Sequence, residues 1–509
     1  MNTVPTPPED PADDPAPSGL ASTVLRGAGI SGGGYVLAQG LNLGVYIVLS
    51  RLLSPAEFGQ YAAATVLIGF AVLFSESGMQ AALIQRQDRL EEARNTALIA
   101  VIAGGLLATL IGLAAAPLLG SLFDSDQVTE LALASAGLAL INVLPIVPNS
   151  VLQRRFSILR LMVIDPVEVV VFGIVAIVAA ANDLGPWSLV IGQYAALATG
   201  VVLSWILAGW LPRLARATFA MWRELAAYGR HVLLAGGIIK LGEQSADTLI
   251  VGKTLGTAAL GQFRYAFRIA ALPYMVLVTG AGYMVLPALS RLQADSDRLE
   301  AAFLRSLRWL AALGIPAGLA LVPLGPGVAA LVFGDVWLPA GYAAAAMCGY
   351  AGANAIVTAV AELLKAVGET SPLPRLYALS TVVTIVTMLA LAQVSLTAAA
   401  ASLSIGPTVA GVYALATASR VAGVAMRRTW AQIWPAGLAA TAMALTVLPI
   451  DRLLLDPQAQ TTGVGLALLA LEAALCVITF VAFLALFAPA TVREFWTEAR
   501  SRLPGRFAR

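Results

Sequence analysis

The chain is a succession of apolar runs, each about 18 to 24 residues long, parted by short segments that carry charge, glycine or proline. A helix of that length matches the hydrocarbon thickness of a bilayer, and hydrocarbon lets a backbone satisfy its amides only in a helix or a closed barrel. About fourteen runs are expected to be spans, near residues 28–50, 61–84, 97–119, 130–152, 162–181, 187–210, 231–252, 265–288, 310–332, 341–362, 375–393, 397–418, 434–450 and 462–487. Composition agrees. With 59% hydrophobic and 12% charged residues in 509, the chain has more apolar surface than a soluble domain can hide. The expected fold class is an all-α polytopic membrane protein.

Orientation follows from lysine and arginine in alternate loops. Of the 31, 25 fall on the side of the N-terminus, from Arg26 through Arg86, Arg154, Arg213, Arg305 and Arg428 to the tail beyond residue 490. Arg51, Lys253, Arg264, Arg268 and Arg452 fall on the other side or at its edge, and Lys240 lies within a span. The positive-inside rule then puts both termini in the cytoplasm. The segment 1–24 is rich in proline and acid and lacks a basic stretch leading into an apolar run, so it reads as a disordered cytoplasmic tail and not as a signal peptide.

Two parts of the chain repeat at an offset of 202 residues. Arg51-Leu52-Leu53 and Phe58-Gly59-Gln60-Tyr61 align with Lys253-Thr254-Leu255 and Leu260-Gly261-Gln262-Phe263 without gaps. The first span falls on the seventh with six helices between them, so both copies enter the membrane in the same direction. The expected architecture is two parallel-repeat six-helix lobes, 25–212 and 231–430, around a central cavity. An amphipathic cytoplasmic connector at 213–230, an extra helix pair at 431–489 and a basic tail at 490–509 complete it.

The seventh run is unusual for its charge. Lys240, Glu243, Gln244 and Asp247 stand at i, i+3, i+4 and i+7 and share one helix face, which is tolerable only against protein or a watery cavity. The first copy has Ala38, Leu41 and Val45 at the positions of Lys240, Glu243 and Asp247, so the fold does not need charge there.

Specific stretches resemble the polysaccharide transporter family of the multidrug, oligosaccharidyl-lipid and polysaccharide exporter superfamily. Leu49-Ser50-Arg51-Leu52-Leu53-Ser54-Pro55-Ala56-Glu57-Phe58-Gly59-Gln60-Tyr61 is similar to that family's first periplasmic turn, and Phe74-Ser75-Glu76-Ser77-Gly78 to its second helix. Ala246-Asp247-Thr248-Leu249-Ile250-Val251-Gly252-Lys253 is similar to its seventh-helix motif. The resemblance implies a flippase of the bacterial cytoplasmic (inner) membrane. Such a protein moves an undecaprenyl-diphosphate-linked oligosaccharide to the periplasmic leaflet by alternating access, with H+ or Na+ as coupling ion, for O-antigen, capsule or exopolysaccharide assembly. The partners it implies are the lipid-linked oligosaccharide, membrane lipids and polysaccharide polymerase or assembly proteins, with no nucleic acid and no cofactor.

A diphosphate cargo asks for cations in a wettable cavity. Lys240 is the first candidate, followed by Arg264 and Arg268 at i, i+4, with Gln244 and Tyr265 as further substrate contacts. The alternatives are that Lys240 and Glu243 neutralise each other across one turn and that the two arginines snorkel to the interface. For ion coupling the candidates are Asp247, Glu76 and Glu243. Glu168 and Glu472 are further acids within runs, and Asp165 and Glu362 mark helix ends. Cys348 and Cys476 read as core thiols and His231 as interfacial, and no metal site is legible. The rival functions are a lipid II flippase, a multidrug or cation antiporter, and a membrane-embedded polymerase or glycosyltransferase. The last would need a sizeable extracytoplasmic loop with catalytic groups, and the loops on that side are short.

Overall fold

All the regular structure among the described residues is helical. The computed structural model describes residues 37–155, 157–213, 216–227, 245–275, 285–286, 288–293, 295–455, 462–489 and 491–494, and of 67–78, 81 and 158 the backbone alone. The tail 1–24 and the stripe residues Lys240, Glu243 and Gln244 lie outside the described residues, as does the side chain of Glu76.

Helix α1 (Leu37–Leu52) leads through a tight turn into α2 (Pro55–Gln85). The turn is written in the sequence. Ser54 accepts the Glu57 amide at 3.4 Å, Glu57 accepts the Ser54 amide at 2.7 Å, and Pro55 takes the first helical position. Then come α3 (Leu90–Phe123), α4 (Asp126–Arg154, interrupted at Ala136 and Pro145), α5 (Ile158–Ala181) and α6 (Trp187–Ala208).

Helix α7 (Ala246–Pro273) is two helices joined at Gly256, whose φ of 87° and ψ of 171° are open to glycine. Gly256 lies 202 residues after Ser54, so the second copy of the repeat turns where the first does. Helix α8 (Ser296–Leu319) bends by 50° into α9 (Leu321–Phe333), and α10 (Asp335–Ala346) by 42° into α11 (Gly349–Ala366). Prolines 316, 323 and 326 flank the first bend and deprive it of amide donors. Helices α12 (Leu373–Leu391), α13 (Leu396–Ala422), α14 (Met426–Ile450) and α15 (Thr462–Phe487) close the chain.

Among the described residues eight helices are long and apolar enough to cross a membrane, or ten if each bent pair is one span. These coincide with the expected third to sixth and ninth to fourteenth runs. Their apolar side chains point outward as well as inward: Leu107, Leu110, Ile111 and Leu118 on α3 are 57% to 68% exposed. Only lipid makes that arrangement stable.

The loop arginines do more than set topology. Arg154 donates to the carbonyls of Leu83 (3.2 Å), Ile84 (2.9 Å) and Arg86 at the end of α2, and Arg155 donates to Ala208 O (2.7 Å) at the end of α6. Each guanidinium satisfies carbonyls that a helix C-terminus leaves open and meets the negative end of its dipole.

The apolar cores are distributed unevenly along the membrane normal. One cluster joins both repeats, with Leu49, Phe58 and Phe123 packed together with Phe263, Tyr265, Phe333 and Trp337. It lies at the end carrying the α1–α2 turn. At the arginine-rich end there are two separate cores, one around Leu83, Leu98 and Val151 and one around Phe303, Leu307 and Leu363. Among the described residues the halves are fused through one core at the α1–α2 turn end and contribute two cores at the arginine-rich end.

Candidate substrate cavity and closed end

The fused end is held by a contact that the repeat makes nearly symmetric. A Cβ on Gly59 would run into the carbonyl of Thr257, and a Cβ on Gly261 into the carbonyl of Pro55. Gly59 and Gly261 are 202-residue counterparts, as are Pro55 and Thr257, so one contact repeats the other. Glycine at both places lets α2 and α7 touch backbone to backbone, the close approach that small residues allow between membrane helices.

Around this contact lies a latch. Helix α9 ends in a π-wound turn at Phe333, leaving carbonyls without helical partners. Arg51 Nη2 donates to Leu331 O at 2.6 Å and Val332 O at 3.3 Å, and Ser50 Oγ donates to Phe333 O at 3.1 Å. Trp337 Nε1 returns a bond to Ser50 O at 2.9 Å. Phe58, Tyr265, Phe333 and Trp337 stack behind these bonds, with Tyr265 and Trp337 ring centroids 3.8 Å apart.

Below the plug, between α1, α2 and α7, is a cavity of about 230 Å³ lined by Tyr46, Phe58, Tyr61, Thr65, Ser245, Arg264 and Arg268 among others. Arg264 and Arg268 lie two and three turns past Gly256, roughly 12 and 18 Å along the helix from that break. Arg264 pairs with Asp247 at 3.4 Å and donates to Thr248 Oγ1. Asp247 also accepts the Thr248 amide at 2.7 Å and is only 4% exposed. Among the described residues Arg268 has no carboxylate partner and its buried Nη1 has no acceptor. Its guanidinium carbon sits 3.0 Å from the Tyr46 ring centroid. One of the two cations is therefore balanced within the cavity, and the other is held over an aromatic face.

A sequence model of a family described as "Polysaccharide biosynthesis protein" matches residues 48–341. The chain belongs to that family. The match takes in the turn after α1, the glycine contact, the latch and the cavity lining other than Tyr46. The chain is 23% identical over 325 residues to the succinoglycan biosynthesis transport protein ExoT of Rhizobium meliloti (strain 1021), covering 63% of this chain and 65% of that protein. It is 22% identical over 331 residues to the lipopolysaccharide biosynthesis protein WzxC of Escherichia coli (strain K12), covering 62% and 65%. The matches thus span about 65% of the length of these curated relatives. Among solved structures, the lipid II flippase MurJ in an inward closed conformation superposes with a TM-score of 0.74 at 13% identity, over 91% of this chain and 99% of that one. An inward-facing multidrug transporter of the MATE family gives 0.57 at 18% identity, over 78% and 96%. The protein of this polysaccharide biosynthesis family therefore has the fold of those transporters.

Of the sequence-predicted site residues, the structure brings Arg264, Arg268, Tyr265 and Asp247 together at one cavity. Tyr265 lines it but is 2% exposed, with its ring in the plug and its hydroxyl donating to Tyr46 O at 3.1 Å. Sequence reasoning did not single out Tyr46 or Trp337. Their partners lie more than 200 residues away, although Arg51, one of the few cations at the cation-poor end, was a signal that something there needed a charge.

Proposed function

We propose that the protein is a transporter, not an enzyme, that flips an undecaprenyl-diphosphate-linked oligosaccharide from the cytoplasmic to the periplasmic leaflet of a bacterial inner membrane for cell-surface polysaccharide assembly. The observation that carries this reading is Arg268: a cation laid on an aromatic ring and, among the described residues, unpaired by any carboxylate, in a cavity between the two repeats. A guanidinium in a low-dielectric site binds a phosphate oxygen more strongly than it does in water. The names of the relatives, which concern succinoglycan transport and lipopolysaccharide biosynthesis, support a glycan cargo. In this reading the fused end faces the periplasm, the arginine-rich end and both termini face the cytoplasm, and the arginine-rich end admits the cargo.

Arg264 supplies the coupling. A phosphate that claims Arg264 displaces Asp247, and the freed carboxylate in so dry a place takes up H+ or Na+. Lys240, Gln244 and Glu243, one or two turns before Asp247, extend the polar face in the same proposal, and Glu76 remains a second coupling candidate.

The test is binding and flipping by the purified protein. In nanodiscs titrated with undecaprenyl-diphosphate oligosaccharide, Arg268→Ala weakens binding about 10- to 100-fold or more, the cost of removing one partner of a buried charged contact, and Arg268→Lys weakens it less. Undecaprenol, which lacks the diphosphate, binds wild type and Arg268→Ala alike. Unchanged diphosphate binding by Arg268→Ala would overturn the assignment. In cells, deletion should trap the linked oligosaccharide on the cytoplasmic face. Deletion that leaves it flipped but unpolymerised would replace the transporter reading with an enzyme.

A further inference from the structure

The C-terminal helix pair carries an acid for which the cavity mechanism has no use. On α15 the buried residues Gly465, Leu469, Glu472, Cys476 and Leu484 recur at helical spacing and form one face. Two of them locate that face. Leu469 packs against α9 at Gly327, where an added Cβ would lie 3.1 Å from its Cδ1, and Cys476 packs with Met443 and Val447 of α14 and with Leu324 of α9. Glu472, between them, lies in the seam of α9, α14 and α15. It is 1% exposed, and among the described residues neither carboxylate oxygen has a hydrogen-bond partner.

A carboxylate so placed, with no donor and no cation, is out of keeping with its ionised form, whereas the neutral acid fits an apolar seam. A hard cation would need a shell of oxygens, and Met443, Val447, Leu324, Leu469 and Cys476 provide none. The charged and titratable groups around the seam are few. Asp451, at the end of α14, is itself 6% exposed and acts electrostatically on both Glu472 and Cys476. Arg452 and Tyr342 line, with Asp451, a cavity of about 360 Å³ against Pro323 and Pro326 of α9, at the fused end of the molecule. Helix α9 contributes no titratable group between Leu321 and Phe333.

We propose that Glu472 is a proton-binding residue, loaded in the packed arrangement seen here and reached from the fused end through the Asp451–Arg452 cavity. Release of its proton requires water to enter the seam and hence α15 to loosen from α9. Helix α9 is the element whose last three carbonyls Ser50 and Arg51 hold, so the proton on Glu472 and the latch share one moving part. Proton uptake favours the latched end, and release favours unlatching. This site is separate from Asp247, and it concerns proton binding and helix packing whatever the cargo of the central cavity is.

The experiment uses the full chain in nanodiscs without cargo, so its failure and that of the flippase reading are distinguishable. Infrared difference spectra between acid and alkaline pH should show the carbonyl stretch of a protonated carboxyl group disappearing as pH rises, and Glu472→Gln should lack that band while Glu472→Asp shifts its frequency. Either variant that folds decides the assignment. In wild type, Cys476 should also react severalfold faster with a small maleimide at alkaline pH than Cys348 does, after each is normalised to its rate at neutral pH. A difference band unchanged in both variants, or Cys476 labelling that follows Cys348 across the pH range, would overturn the proposal.

Discussion

At Arg51 one guanidinium does for α9 what a following helical turn would have done, donating to carbonyls that the π-wound end exposes. Its partners belong to the other repeat, so the same bonds that finish a helix also hold the two halves together. Arg51→Ala should cost the fused arrangement about 1.5 to 3 kcal/mol, the worth of hydrogen bonds from a charged donor, or roughly a 10- to 100-fold change in the ratio of open to fused end. Distances between spin labels placed at Asp124 and Lys253, whose side chains pair across the repeats at 3.3 Å, measure that ratio. Gly59 makes a second prediction. Because a Cβ there meets backbone and not a movable side chain, Gly59→Val must push α2 from α7, and Gly261→Val must do the same from the other side. Once either has parted the helices the second has little left to disrupt, so the double variant should shift the label distance by less than the sum of the two. A fully additive result would show that the two glycines serve separate contacts.

At the scale of elements, the connector is fixed to the first repeat by charge. Glu224 accepts from Arg86 (2.7 Å) and Arg89 (3.0 Å), and Arg216 pairs with Glu91. The hydrogen bonds from Arg86, then from Arg89, hold the Glu224 carboxyl below its usual range. With a lowered value the contribution is present above the ordinary carboxylate range and lost only as pH falls through the lowered one. Hydrogen exchange of 216–227 should therefore be flat through neutral pH and rise only under strong acid, whereas Glu224→Gln should raise it at neutral pH. The spans were legible because a membrane demands twenty apolar residues in a row, and the Gly256 break was legible because Ser54 has a counterpart there. The bend after Leu319 and the π end of α9 were not, since Pro316 reads the same whether its helix continues straight or turns by 50°. Arg264 and Arg268 could be chosen by spacing and aromatic company. That one would be neutralised by Asp247 and the other laid on Tyr46 depends on how α1 meets α7, which nothing local encodes. Glu472 was visible as an acid in an apolar run, but only the seam shows that it lacks a partner.

The whole molecule pivots, in the proposed cycle, about the glycine contact, with a shared core on one side of it and two private cores on the other. A cleavable cross-link between cysteines at Asp124 and Lys253 should abolish flipping while leaving cargo binding from the arginine-rich end intact, and cleavage should restore transport. If cross-linked protein flips at the wild-type rate, the fused end is not the gate. The exposed pair itself adds little, about 0 to 1 kcal/mol, so its replacement by cysteines should leave the uncross-linked protein active. The uneven placement of the cores also has a consequence for the lipids around the protein. In the proposed cycle a body that opens at one end as it closes at the other changes the area it occupies in each leaflet, and unlatching must exchange that area between leaflets. The two faces of the bilayer thus enter the energetics of the cycle, and crowding one leaflet with added single-chain lipid should tilt the protein between its states without touching any residue of the cavity.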